Sequence, residues 1–313
     1  MVTSNSVAAS DAPRPGRAGH PDPFFATARD LVALTKPRVT TIVLVTGGAG
    51  MALAPGSIGW ARLVLAMVGT VLVVSAANAL NMWWERDVDG LMARTANRPL
   101  PAGRMGEKAA LLFGVALGLV SVPMLFAVNA LTGWLGLFAL VSYVAVYTPL
   151  KRVTPRALEI GAVPGAIPPL LGWTAVTGRL DAGGLVLFAL LLLWQIPHFI
   201  AISLFRAEDY ARAGLKVHAV AHGEHTARVH IAVTTAILAA LGVTPVFFGM
   251  AGWGYGALAA LFGAAFAVVA FRGLSSAMNE PQRRLGWARQ VFGYSIVYLL
   301  LILAALLVGN ALL

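Results

Sequence analysis

Long apolar runs dominate the chain, and its polar residues gather in the stretches between them. Nine runs stand out, at 39–56, 60–84, 109–129, 130–150, 158–177, 182–205, 229–249, 252–271 and 291–311. Most match the roughly 17–25 residues that an α-helix needs to cross a bilayer, the first being near the lower limit. The stretch 109–150 is too long for one crossing and divides at Asn129. Apolarity is continuous rather than alternating, which favours helices over a barrel. The pattern predicts an all-α, polytopic membrane protein with nine transmembrane helices. Within it, Pro164, Pro168 and Pro169 predict a kink in the fifth helix. Runs such as Gly47-Gly48-Ala49-Gly50 predict close helix contact.

Composition agrees with the pattern. Hydrophobic residues make up 58% of the 313 and charged residues 12%, against about 25% charged in soluble domains. Without cysteine, disulfides, thiolate catalysis and thiolate metal ligands are excluded. Residues 1–30 hold Ser, Pro, Gly and Ala without apolar periodicity and predict a disordered cytoplasmic tail, leaving 31–313 as one transmembrane domain. Acids and prolines in that tail argue against a mitochondrial presequence, and with the first apolar run near residue 39 no cleavable signal peptide is expected.

Charge supplies the orientation. With the N-terminus in the cytoplasm and nine crossings, every one of the 23 Lys and Arg except Arg62 and Arg179 falls on the inner side. That asymmetry predicts an inner-membrane protein with its C-terminus outside. It also accounts for the net charge of +10, so no nucleic-acid partner is called for. The acids concentrate in two inner stretches, 85–108 and 206–228, each following an inward-running helix. Segments one to four and five to eight thus form a weak internal repeat, an arrangement that commonly places a site at the repeat interface.

The second helix ends Asn81-Met-Trp-Trp-Glu85-Arg-Asp87-Val-Asp89. Asn81, Glu85 and Asp89 recur at four-residue spacing and project from one face, with Asn78 a turn earlier. Acids at a helix C-terminus oppose the macrodipole unless a cation is nearby. A hard ion such as Mg²⁺ carrying a phosphorylated substrate suits two carboxylates and an amide. The competing reading is a solvated helix end whose acids pair with Arg86, Arg94 or Arg98. Arg94, Arg98 and Arg104 follow on a turn-rich stretch, and guanidinium matches phosphate oxygens. In the second acidic stretch, Arg206 precedes Glu208 and Asp209, of which Asp209 is the expected contributor to a shared metal.

Lys36, Arg38, Lys151 and Arg152 mark further inner helix ends, and would ring the cytoplasmic mouth of a central cavity with positive charge. A polyanionic head on a long hydrocarbon tail fits such a cavity, and a prenyl diphosphate is the candidate. His198, in Trp194-Gln-Ile-Pro-His198-Phe, lies inside the sixth helix. It is either a hydrogen-bonded packing residue or a contact to an acceptor. His218, His222, His225 and His230 fit no metal spacing and are expected to be exposed.

These strings resemble the UbiA superfamily of intramembrane prenyltransferases. The resemblance rests on Asn81 through Arg104, Leu34-Thr-Lys36-Pro-Arg38, Tyr147-Thr-Pro-Leu-Lys151-Arg152, Gly165 to Trp173, and Pro197-His198-Phe199 followed by Asp209-Tyr210. Within the superfamily they are most similar to the branch that farnesylates protohaem IX, and they cover residues 34 to about 216 in family order. The resemblance implies nine helices, Mg²⁺ dependence, and farnesyl transfer from farnesyl diphosphate to a vinyl group of haem b, giving haem O. It implies Asn81, Glu85, Asp89, His198 and Asp209 as catalytic residues, with Glu85, Asp89 and Asp209 on the metal. Lys36, Arg38, Arg94, Arg98, Lys151, Arg152 and Arg206 would meet diphosphate, and His198 and Trp194 haem. Membrane lipid and haem A synthase are candidate partners. Two departures stand out: Glu208 and Asp209 replace a full Asp-x-x-x-Asp motif, and Ala157 stands where the family usually has Asn. The alternatives are a phenolic or quinone acceptor, a transporter of an anionic amphiphile, and a haem-holding scaffold.

Overall fold

The structure, a computed structural model, describes residues 26–313, and its regular elements are all helical among those residues. Residues 1–25 of the expected tail lie outside the described residues. The tail boundary at residue 30 is corrected, because a first helix, α1 (Ala28–Leu34), already begins there. Thr27 caps it, accepting from the Asp30 backbone N–H at 3.2 Å and donating to Asp30 Oδ2 at 2.6 Å.

The chain continues through α2 (Pro37–Leu53), α3 (Trp60–Asp89), α4 (Glu107–Val128) and α5 (Ala130–Val141). A π-helical stretch, Ser142–Tyr147, leads into α6 (Thr148–Val153). Then come α7 (Ala157–Gly165), α8 (Ile167–Thr177), α9 (Ala182–Phe205), α10 (Ala207–Arg212), α11 (His218–Val243), α12 (Trp253–Phe271) and α13 (Pro281–Ala311). Taking α5 to α6 as one rod and α7 with α8 as another, eight helices among the described residues are long and apolar enough to cross a membrane. The first expected crossing is the shorter α2, of 17 residues. At ~1.5 Å per residue it spans about 25 Å, less than the roughly 30 Å hydrocarbon core.

Asn129 divides 109–150 because it caps α5. Its Oδ1 accepts from the Thr132 N–H at 2.9 Å, and its Nδ2 donates to the Thr174 carbonyl at 2.8 Å, tying α5 to α8. Pro168 and Pro169 have no N–H to continue the ladder, and the helix breaks at Ala166 between α7 and α8. The acidic stretch 206–228 is largely helical: it holds α10 and the beginning of α11, which bends at Gly223 (φ 81°). Likewise α13 begins at Pro281, well before residue 291, with proline in the first turn where its missing N–H is harmless.

α3 runs along α4, α2 against α8, α11 against α9 and α12, and α13 across α9 and α12. A Cβ on Gly50 would strike the Pro169 carbonyl, and one on Gly172 the Gly47 carbonyl, so α2 and α8 meet nearly backbone to backbone. The largest apolar core lies in the C-terminal half, among α9, α11, α12 and α13. Leu119, Trp134, Leu261 and Val308 project outward, the surface expected of helices that face lipid. Between α2, α3, the π stretch, α7 and α9 the bundle stays open as a cavity.

Candidate active site

The cavity measures about 460 Å³. Its α3 wall changes character along the helix: Val73, Val74 and Ala77 give way to Asn78, Asn81, Glu85 and Asp89. All four polar side chains are buried. The 3.6-residue repeat brings them to one face, and the remaining walls supply their partners.

Each acid is met by a cation. Lys151 Nζ lies 2.9 Å from Glu85 Oε1 and 3.2 Å from Oε2, and 4.5 Å above the Tyr147 ring. Arg98 Nη1 lies 2.5 Å from Asp89 Oδ2, and Thr95 Oγ1 donates at 2.7 Å to the Asp89 carbonyl, folding the following turn back onto the helix end. Lys36 Nζ donates to Asn81 Oδ1 at 3.0 Å, and Asn81 Nδ2 donates to Thr148 Oγ1 at 3.2 Å. Lys36 precedes α2 in a left-handed conformation (φ 50°), the single non-glycine residue with positive φ among the described residues. Such a backbone costs on the order of 1 kcal/mol and persists where its surroundings fix it. Here Asn78 Nδ2 reaches the Thr35 carbonyl at 3.4 Å and braces the turn. Burial, then the nearby Arg98 and Lys151, lowers the Lys36 ammonium to about 7.

The π stretch shapes the facing wall. Tyr143 and Tyr147 stand with ring centroids 5.0 Å apart, and Thr148 Oγ1 donates to the Tyr143 carbonyl at 2.9 Å. Thr148 therefore joins the π turn to Asn81. Farther along, α9 contributes Trp194, Gln195 and His198. His198 is buried, stacked against Trp194 at 4.7 Å and 26°, and its Nδ1 lies 2.8 Å from Ser295 Oγ on α13. Trp194 Nε1 donates to the Ser295 carbonyl at 2.6 Å. His198 thus has the packing partner expected of a membrane histidine and also faces the cavity, where its Nε2 makes no hydrogen bond among the described residues.

Lys36, Asn81, Glu85, Asp89, Arg94, Arg98, Lys151, Trp194 and His198 share this wall. Arg38, Arg152, Arg206 and Asp209 do not line it. Arg38 and Arg152 are exposed. Arg152 follows Lys151 on one helix, and about 100° of rotation carries it away when Lys151 faces Glu85. Asp209 sits in the first turn of α10 between Arg206, 3.7 Å away, and Arg212, which closes on it from the next turn. Ala157 does line the cavity, so the asparagine it replaces would have faced the same space.

Tyr143, Gln195 and Lys216 also line the cavity, and Ser295 supports His198; the sequence patterns above do not assign these four a role, whereas Tyr210, which lines it too, belongs to the Asp209-Tyr210 string. Tyr143 and Tyr147 carry a signal, an aromatic pair at four-residue spacing. Ser295 carries a weaker one, a lone polar residue in an apolar helix. The histidines divide: His222 and His225 are exposed as expected, whereas His218 is buried against His230 because the Gly223 bend turns it inward.

The comparisons agree with this geometry. A model described as the UbiA prenyltransferase family matches residues 43–296. A protoheme IX farnesyltransferase from Anaeromyxobacter sp. (strain Fw109-5) is 51% identical over 90% of this chain and 94% of its own. One from Sorangium cellulosum (strain So ce56) is 55% identical over 80% and 88%. Among solved structures, a digeranylgeranylglyceryl phosphate synthase superposes with TM-score 0.76 at 17% identity, covering 91% of this chain and 99% of that one. A UbiA homolog from Archaeoglobus fulgidus bound to GPP and Mg²⁺ gives 0.63 at 19%, covering 86% and 99%.

Proposed function

The chain belongs to the UbiA prenyltransferase family, and from that premise we propose that it is an integral-membrane protohaem IX farnesyltransferase, moving the farnesyl group of farnesyl diphosphate onto a vinyl group of haem b. The observation that carries this reading is one cavity with two kinds of wall. Glu85, Asp89 and Asn81 gather with Lys36, Arg98 and Lys151 at one part, and Val73, Val74, Trp194 and His198 line others. A diphosphate suits the first and apolar substrates the second.

The donors at the polar part fit Mg²⁺: two carboxylates and an amide are hard oxygen ligands, and Glu85 and Asp89 stand one turn apart. When bound, Mg²⁺ would neutralise diphosphate and improve it as a leaving group. We take Glu85 and Asp89 as its ligands with Asn81 in support, and Asp209, paired here with Arg206 and Arg212 as Glu85 is with Lys151, as a further candidate ligand. Lys151 and Arg98, which now face the acids, would turn to the phosphate oxygens, joined by Lys36 and Arg94. The C1–O bond of farnesyl diphosphate then breaks with its electron pair leaving on the diphosphate. The haem vinyl carbon attacks the allylic cation, and the new cation beside the porphyrin takes up water and loses a proton, giving a hydroxyethylfarnesyl group. Apolar walls keep water from the first cation. His198 and Trp194 are assigned to the haem side.

We further infer that α2 is the first of nine crossings, that the N-terminus and the cavity mouth face the cytoplasm, and that the C-terminus lies outside the inner membrane. The product would remain in the membrane, suited to transfer to haem A synthase. Incubating the purified protein with haem b, farnesyl diphosphate and Mg²⁺ tests the reading by mass spectrometry. Haem carrying one added farnesyl group and one added hydroxyl is the expected product, and unchanged haem with intact farnesyl diphosphate would overturn it.

A further inference from the structure

Behind the cavity wall, α7 and α11 bring three side chains with metal-binding chemistry together. Glu159, His218 and His230 each offer one ligand atom, and these lie within 4.8 Å of one another. In a straight helix, His218 and His230 would be about 18 Å apart along the axis. The bend at Gly223 (φ 81°, ψ 164°) folds the first turn of α11 back, so that His218 Nε2 and His230 Nδ1 are 2.8 Å apart. The exposed His222 stands beside the same group, its ring tilted by 48° with its centroid 4.9 Å from that of His218.

Packing alone does not account for this arrangement. His218 is only 5% exposed, yet its Nδ1 has no hydrogen-bond partner among the described residues. Glu159 Oε2 is likewise shielded from solvent and without a partner. A buried polar atom with no partner is unfavourable, and a buried carboxylate oxygen more so. A cation between the carboxylate and the two imidazoles would satisfy the acid and take the place of the proton shared by His218 Nε2 and His230 Nδ1.

We propose that Glu159, His218 and His230 form a second metal site, separate from the Glu85–Asp89 carboxylates and selective for Zn²⁺. Two imidazoles and one carboxylate are a recognised zinc set that leaves a fourth position for water or for His222, whereas Mg²⁺ prefers oxygen ligands throughout. Binding requires both histidines to present a lone pair, so the proton shared between them is released. The ion would fasten α11 to α7. Lys216 and Val217, just before His218, line the cavity, and the Lys216 N–H donates to the Lys151 carbonyl at 3.3 Å. The site would thus hold one edge of the cavity in place.

The test is metal binding by the full chain, purified in detergent without a histidine tag, stripped with EDTA and titrated with Zn²⁺ against a chromophoric chelator. One Zn²⁺ per chain is expected, and Co²⁺ in its place should give the intense visible bands of a tetrahedral site. Affinity should fall by roughly 100-fold or more in His218→Ala/His230→Ala and also in Glu159→Gln, which preserves side-chain shape. The exposed pair His222→Ala/His225→Ala should still bind one ion. No stoichiometric Zn²⁺ in the parent, unchanged affinity in Glu159→Gln, or loss of all binding only in the His222/His225 variant would each overturn the assignment. Every readout is independent of prenyl transfer.

Discussion

Lys151 grips both oxygens of Glu85, at 2.9 and 3.2 Å, although 66 residues separate them in the chain. The pair joins α6 to the end of α3 across the polar part of the cavity. An acid that serves as a metal ligand and a cation that meets phosphate would hold one another in this way until substrate arrives.

Glu85→Gln and Asp89→Asn are expected to lower turnover by orders of magnitude, since each removes metal-neutralising charge while keeping shape. Lys151→Met removes one electrostatic donor and should lower it by about 10²- to 10³-fold. Glu85→Gln also leaves the half-buried Lys151 without its partner, which costs about 1–2 kcal/mol, and Glu85→Gln/Lys151→Met should recover much of that stability without recovering activity. Steady-state rates and thermal unfolding in detergent check both parts. Turnover within a few-fold of the parent in the Glu85 and Asp89 variants would reduce these acids to a charge-paired helix end.

Lys36 gives a pH dependence with a defined sign. Its ammonium is lowered to about 7 by burial, with Arg98 and Lys151 adding to the shift. A bound diphosphate would restore the charge, so binding takes up a proton above that pH. Affinity for farnesyl diphosphate should therefore be greatest below pH 7 and fall as pH rises beyond it, approaching tenfold per unit. For folding, the unfolded chain holds this proton between about 7 and its ordinary value of 10.5. The Lys36 contribution to stability therefore rises with pH across that window. Lys36→Met should flatten the binding profile, and an unchanged profile would remove Lys36 from the diphosphate site.

His198→Ala should impair haem binding more than farnesyl diphosphate binding. Ser295→Ala, which removes the hydroxyl 2.8 Å from Nδ1, should produce a smaller loss of the same kind. The two ligands are titrated separately, haem by absorbance. Equal loss for both, or no loss for haem, would return His198 to a packing role.

Because the chain has no cysteine, orientation can be read from single introduced thiols. Thr95 is buried and unsuited to labelling, whereas Ala93, Ala221 and Ser57 are exposed. Ala93→Cys and Ala221→Cys should react with an impermeant reagent only from the cytoplasmic side, and Ser57→Cys only from outside. Reaction of Ser57→Cys from the cytoplasmic side would mean that α2 does not cross.

Much of this fold can be read from the chain because membrane helices have so few alternatives. The run 182–205 coincides with α9, and the proline cluster marks the break at Ala166. The beginnings of α11 and α13 are hidden by polar residues: apolar continuity cannot register a helix that extends beyond the hydrocarbon, as His218–Arg228 does. At the site, Asn81, Glu85 and Asp89 are legible because their relation is local, four residues at a time. Which cation meets which acid is not, since Lys36, Arg98 and Lys151 arrive from three different elements. The partners of Asp209 are legible, since Arg206 and Arg212 each stand three residues from it.

The π stretch has a consequence for what evolution or engineering can alter here. A π turn holds one residue more than an α turn at almost no gain in length, so it acts as a phase shift in the rod that carries it. Residues after it are rotated by about 100° relative to an uninterrupted helix. Lys151 meets Glu85 from downstream of that shift, so their alignment depends on the turn between Ser142 and Tyr147 keeping its wider winding. Substitutions that keep the π turn leave the phase untouched, whereas one that tightens it to an α turn with the same number of residues turns the lysine off its target with its own side chain intact.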